Sequence, residues 1–395
     1  MGRSCRGSPP SGRLESAHDA NPAARLSPGP PDGGSALRAI GWPFPGAPAE
    51  ADDPAWRQTM TAHPQARPAR VVAQHRSGYL VAEGPVDGVA VESLPEWQRP
   101  KFPPEQRPAV GDWVLVEEAR IVALLPRRSA IKRGAAGEHY RQQVIAANVD
   151  VVLVVCGLDA DFNPRRIERY LLLVHGGGAQ PVVVLTKADH PGADVDAALA
   201  ALADVAGADV PVLAVNARDR DSVAALATWL QPGVSAVLVG SSGAGKSTLT
   251  NSLLGSERMK TGEVRVSDER GRHTTTHRAL IPLPSGACLI DTPGMRELKP
   301  TGEEDLAEGG FADVEALTEQ CRFRDCRHGQ EPGCAVRAAI ESGALAPARY
   351  ASYLKLRDEV DAAAGQLAGR RGGKRDEKVA GKTLNKRLDD KYGKR

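Results

Sequence analysis

The chain has 395 residues, of which 41% are hydrophobic, 25% charged and 4% aromatic, enough apolar material for two or three domain cores. Its 51 basic and 49 acidic side chains nearly cancel, which excludes a uniform positive coat but allows local basic patches. No run approaches the ~18 apolar residues of a spanning helix, and the first residues lack the apolar stretch of a secretory signal, so a soluble, cytoplasmic protein is expected.

Residues 1–60 contain 10 Pro and 8 Gly. Such a stretch buries too little apolar surface to offset the entropy of ordering, so residues 1–66 are expected to be a disordered extension. Short β-rich runs follow at 69–73, 78–82, 86–91, 112–116 and 121–125. Five short strands at this spacing predict an OB-type β-barrel over residues 67–130, with a small β-sandwich as the alternative. Arg127, Arg128, Lys132 and Arg133 form a basic cluster where this unit ends.

Residues 131–300 have an α/β pattern. Continuous apolar runs at 149–156, 181–185, 210–215 and 234–239 alternate with helical stretches at 164–174 and 195–205. Strands buried on both faces between helices predict a parallel sheet. Two more strands are expected at 279–283 and 287–290.

Three motifs sit at the ends of these runs. Thr186-Lys187-Ala188-Asp189 follows the second run and matches [NT]-K-x-D. Guanine presents N1–H and N2–H₂ side by side, and one carboxylate accepts both. Adenine lacks that pair, so a buried, unpaired Asp189 would reject it. Lys187 would lie along the base plane. Asn216-Ala217, a loose match after the third run, would offer a backbone N–H to the guanine O6. Gly240-Ser241-Ser242-Gly243-Ala244-Gly245-Lys246-Ser247 then matches G-x-x-x-x-G-K-[ST], between an apolar run and a helix opening at Thr248. Its backbone N–H groups would converge on phosphate oxygens, Lys246 would reach the β- and γ-phosphates, and Ser247 would ligate Mg²⁺. Asp291-Thr-Pro-Gly294 ends the last strand, placing an Asp for the metal and a Gly N–H for the γ-phosphate.

The usual order of these motifs is inverted, because the base motif precedes the phosphate loop. A circular permutation explains this, since termini near one another on a domain surface can be moved at little cost.

Residues 301–365 read as helices around Cys321-x₄-Cys326-x-His328-x₅-Cys334. Three thiolates and an imidazole suit one tetrahedral, structural Zn²⁺ with no open position. Residues 366–395 form a basic tail. Barrel, metal module and tail together suit RNA binding.

The permuted order, GSSGAGKST, Gly271-Arg-His-Thr-Thr-Thr276, DTPG, the barrel-like unit and the Cys/His module together resemble the RsgA (YjeQ) family over residues 68–365. These are circularly permuted GTPases of small ribosomal subunit biogenesis. The resemblance implies a multidomain fold: an OB-type barrel, a permuted P-loop α/β GTPase domain and a helical zinc-binding domain. It implies hydrolysis of GTP to GDP and phosphate in late 30S maturation, stimulated by the subunit, with 16S rRNA as the contact and no membrane partner. It favours Thr275 or Thr276 for the Mg²⁺ shell beside Ser247 and Asp291, and zinc on the four Cys/His positions. A monomer is expected.

Many GTPases orient water with a Gln after D-x-x-G, but Met295 stands there and cannot hydrogen-bond a nucleophile. His273 is the candidate to position water, with a structural role equally open, and Lys246 is the candidate to stabilise charge. The alternative function is a nucleotide-gated rRNA-binding checkpoint in which hydrolysis is incidental.

Overall fold

The computed structural model describes residues 34–75, 78–85, 88–99, 102–134, 142–207, 209–256, 279–291 and 298–368. Thirteen strands are assigned among them, eleven in one continuous sheet.

Residues 34–66, expected to be disordered, are folded. Helices α1 (Gly34–Arg38) and α2 (Pro54–Ala62) frame a strap, and the Asp53 carboxylate caps α2 by accepting from the Ala55 and Trp56 N–H groups. The physical reason is aromatic. Trp42 meets Phe44, Trp56 and Trp113 edge-on at 4.8–5.8 Å between ring centroids, and the Trp56 indole donates to the Pro126 carbonyl at 2.9 Å. Rings of this size bury enough apolar area to hold a Pro/Gly-rich stretch in place.

Strands β1 (Arg67–Gln74), β2 (Tyr79–Ala82), β3 (Val89–Val91), β4 (Trp113–Glu117) and β5 (Arg120–Leu124) form the second unit. β1 pairs antiparallel with both β2 and β4, β2 pairs with β3, and β4 with β5. A parallel bridge, Glu92 to Arg120, joins the end of β3 to β5 and closes the ring of strands. Its interior holds Val71, Val81, Val114, Val116 and Ile121, all fully buried.

A hairpin that the sequence reading did not anticipate follows, β6 (Ala130–Gly134) with β7 (Gln142–Ala147). The basic cluster there is largely occupied. Arg127 is a bidentate partner of the fully buried Asp112, at 2.8 and 2.7 Å. Lys132 pairs with Glu303 at 3.0 Å, Arg128 lies 3.8 Å from Asp150, and Arg133 donates to Gln143.

Next come β8 (Val151–Gly157), α3 (Pro164–His175), β9 (Gln180–Thr186), α4 (Val195–Ala206), β10 (Val212–Ala214) and α5 (Arg220–Val223). They are followed by β11 (Ser235–Val239), α6 (Lys246–Leu254), β12 (Ala279–Pro282) and β13 (Cys288–Asp291). The order across the sheet is β10-β9-β8-β11-β13-β12. The first five are parallel and β12 is antiparallel. β8 and β13, the first and last strands of this unit in the chain, therefore flank β11 on its two sides. All seven residues of β8 are buried, as a strand covered by helices on both faces requires. One rung, Ala73 to Ala279, joins β12 to β1. Arg70 locks the same seam. It is fully buried and donates to carbonyls of Ile40, Gly111 (3.2 Å) and Asn148 (3.0 Å), one from each of the three parts that meet there.

The C-terminal part consists of α7 (Ala312–Glu319), α8 (Ala335–Glu341) and a helix over residues 347–368, here α9. Phe311, Val314, Val336, Tyr353 and Leu356 form its core together with Leu172 of α3. An ion-pair network fastens it to α3. Buried Arg349 donates to Glu168 at 2.8 Å and to Asp313 at 2.8 and 2.7 Å, and Ser352 donates to Glu168 at 2.5 Å.

Candidate nucleotide site and metal centre

The loop 240–245 leaves β11 at the carboxyl edge of the parallel strands, where α/β sheets receive ligands, and enters α6. Its backbone requires glycine. Gly240 has φ +144°, and a Cβ there would lie 2.2 Å from the Val155 carbonyl oxygen. Gly245 has φ +90°, and a Cβ there would lie 2.9 Å from the Thr186 hydroxyl. Ser242 and Gly243 are exposed at the crest, Ala244 is buried beneath it, and Ser247 and Thr248 occupy the first turn of α6, half-buried. The Lys246 ammonium donates to the carbonyls of Gly240, at 2.7 Å, and Ser241. A glycine-rich turn leading into a helix N-terminus, with a lysine ammonium folded over it, is an arrangement that can receive an anion.

The base motif reaches this loop directly. Thr186, fully buried at the end of β9, donates its hydroxyl to the Ala244 carbonyl at 2.6 Å. The two motifs are 58 residues apart in the chain, yet they share a hydrogen bond. Lys187 adopts φ +59°, and its ammonium is ion-paired with Asp159. Burial opposes ionisation of Asp159, but the Lys187 ammonium holds its carboxyl below the ordinary range. Asp189 is exposed on the turn after β9, not buried. Asn216 and Ala217 follow β10, and the Ala217 carbonyl accepts from the Ser252 hydroxyl of α6 at 2.5 Å. The loop after β10 is thereby tied to the helix that carries the phosphate loop.

Asp291 ends β13, one strand from β11. Burial raises its pKa above the ordinary carboxylate value. A divalent cation would relieve that cost. His273, Thr275, Thr276, Gly294 and Met295 lie outside the described residues.

Two participants escaped the sequence reading. Asp159 and Asp161 follow β8 and face the two halves of the site. Asp159 takes Lys187, while Asp161 accepts from the Ser241 hydroxyl at 2.5 Å and pairs with Arg166. Two acids directly beyond the carboxyl end of a buried parallel strand are a readable signal for this role.

In the C-terminal part, the donor atoms of Cys321, Cys326, His328 and Cys334 lie within 4.8 Å of one another. His328 Nδ1 is 3.5 Å from Cys321 Sγ and 3.6 Å from Cys334 Sγ. The Glu331 carboxylate accepts from the Gly329 and Arg327 N–H groups at 2.8 and 3.1 Å, shaping the turn that aims the imidazole. Burial lowers the His328 pKa, keeping the ring neutral with a lone pair to donate. A bond from the His328 N–H resists the shift of Cys326, but partial burial and the neighbouring sulfurs push it up to about 11. Burial opposes ionisation of Cys321, but hydrogen bonds from the Ala335 and Val336 backbone and from the neighbouring thiols hold its pKa below the ordinary value. Three sulfurs and an imidazole within reach of one ion can hold a metal. The other two described cysteines, Cys156 and Cys288, are buried in apolar strands.

Comparison with known proteins supplies the context. A model of the RsgA GTPase family matches residues 124–301. A protein of Xanthomonas euvesicatoria pv. vesicatoria named "Small ribosomal subunit biogenesis GTPase RsgA" is 70% identical over 345 residues, covering 87% of this chain and 94% of that one. Its namesake in Xanthomonas axonopodis pv. citri is 71% identical over 334 residues, with 85% and 91% covered. The fold is also similar to two solved structures, each 24% identical. One is YjeQ from Thermotoga maritima, with a TM-score of 0.52 over 75% of this chain and 98% of that one. The other is YloQ, described as a circularly permuted GTPase, with a TM-score of 0.51 over 76% and 96%.

Proposed function

The chain belongs to the RsgA GTPase family, and we propose that it uses GTP binding and hydrolysis to time its release from the maturing small ribosomal subunit. It is a GTP hydrolase of small-subunit biogenesis. The observation that carries this reading is the 2.6 Å hydrogen bond from Thr186 to Ala244, which brings the base motif onto the phosphate loop despite their inverted order.

In this reading Asp189 accepts from guanine N1–H and N2–H₂, the Lys187 stem lies along the ring, and Asn216 and Ala217 contact O6. The loop residues Gly240 to Ser247, with Thr248, hold the phosphates. Lys246 exchanges its two backbone carbonyls for β- and γ-phosphate oxygens and stabilises the charge that develops between them. Ser247, Asp291 and Thr275 or Thr276 would hold Mg²⁺, which supplies charge neutralisation on those oxygens. Gly294 offers its N–H to the γ-phosphate, and His273 orients water.

The closed ring of β1 to β5 supports an OB-type barrel that meets rRNA. The four soft and borderline donors support one structural Zn²⁺, whose binding energy would serve as folding energy for residues 301–365. Contact with 16S rRNA falls to the barrel, this module and the tail 366–395.

The test measures turnover of GTP and ATP by the full chain, with and without purified 30S subunits. GTP-selective turnover that rises with subunits is expected. Turnover that subunits do not alter would favour the gate that binds rRNA and hydrolyses incidentally, a reading that Met295 supports. Equal use of ATP would overturn the guanine assignment.

A further inference from the structure

We propose that Asp161 is a positioning residue for the phosphate loop and that Arg166 cancels its charge so that phosphate can enter. The inference rests on the nucleotide reading above and assigns work to a loop outside the G-motifs.

Ser241, the second residue of the phosphate loop, is held at both ends. Its hydroxyl donates to Asp161 at 2.5 Å, and its carbonyl receives the Lys246 ammonium. Asp161 therefore fixes the residue on which Lys246 rests. Its other carboxylate oxygen is ion-paired with the Arg166 guanidinium. The post itself is anchored. Asn163 caps α3 by accepting from the Arg166 N–H at 3.1 Å, and α3 is clamped to the C-terminal part through Glu168–Arg349 and Arg169–Glu359.

A carboxylate beside an anion cradle is a paradox unless its charge is neutralised. Unpaired, it would repel phosphate, and a triphosphate more than a diphosphate. Paired with Arg166, it keeps its hydrogen-bonding role without that repulsion. This predicts effects that loss of packing alone would not produce.

The test titrates the full chain, with Mg²⁺, against GDP and a non-hydrolysable GTP analogue. Ser241→Ala and Asp161→Ala should each weaken both ligands by about three- to tenfold. The double variant should be no weaker than either single one, because the two remove the same bond, and Ser241→Thr, which keeps the hydroxyl, should recover most of the affinity that Ser241→Ala loses. Arg166→Ala should weaken the GTP analogue more than GDP, and adding Asp161→Asn should recover that loss. Thermal unfolding midpoints check that each variant is folded. Additive losses from Ser241→Ala and Asp161→Ala, or an Arg166→Ala defect that Asp161→Asn leaves unrepaired, would overturn the proposal. Wild-type chain that binds neither nucleotide would instead overturn the nucleotide reading itself.

Discussion

Thr186→Val replaces the hydroxyl that joins the two halves of the site with a methyl group of nearly the same size. The donor serves the Ala244 carbonyl at 2.6 Å, with the Cys156 carbonyl more distant at 3.4 Å. Thr186 is fully buried, so water cannot replace the lost partner. A buried carbonyl left unsatisfied costs about 1–3 kcal/mol, and the added methyl returns at most ~0.8 kcal/mol by burial. The methyl must also fit against Gly245, where a Cβ would already approach the Thr186 hydroxyl to 2.9 Å. The net expectation is a loss of about 1–2 kcal/mol, or roughly five- to thirtyfold in an equilibrium constant. Because the bond acts on the loop, the loss should appear both in urea unfolding and in affinity for GDP measured by fluorescence titration. Thr186→Ser, which keeps the donor, should retain most of both. A Val variant with wild-type affinity and an unmoved urea midpoint would refute the claim that this bond holds the halves together.

Three further outcomes are expected. Asp189→Asn removes the double acceptor, so the preference for GTP over ATP in competition binding should fall by about 10²-fold or more. Arg349→Met leaves Glu168 and Asp313 without their shared cation, though Glu168 keeps Arg165 and Ser352, and should destabilise the junction of α3 with the C-terminal part by about 1.5–3 kcal/mol, read from urea unfolding. Asp291→Asn should stabilise the nucleotide-free chain at neutral pH while abolishing Mg²⁺-dependent strengthening of GTP binding. The sign follows from burial, which raises the folded pKa of Asp291 above its ordinary value of 3.8. The stability of the neutral acid is fully present below that value and is lost as pH rises through the raised one, so the advantage of Asn should grow across that window. Equal unfolding midpoints for wild type and Asp291→Asn across that range would contradict it.

The parallel sheet and the glycine-rich loop were legible because their determinants are local. A strand buried on both faces reads as an unbroken apolar run, and a loop that must pass Val155 and Thr186 at close range needs glycine at Gly240 and Gly245. Inversion of the motif order was legible too, since it is a property of sequence. Residues 34–66 were misread because composition averages over a segment, whereas Trp42, Phe44 and Trp56 act as a cluster around Trp113, which lies far downstream. The partners of the basic cluster were not legible for a related reason. Asp112 and Glu303, which take Arg127 and Lys132, are 15 and 171 residues away, and nothing local announces them. Asp159 and Asp161 fell between these cases, with their position readable but their partners not.

The strand order carries a mechanical consequence. β8, through which the chain enters the nucleotide-binding unit, and β13, through which it leaves, each share backbone hydrogen bonds with β11. The two neighbouring units are thus leashed to opposite shoulders of the strand that ends in the phosphate loop. In the function proposed above, a displacement of either unit would therefore reach a strand paired directly with the one that leads into the glycine-rich loop.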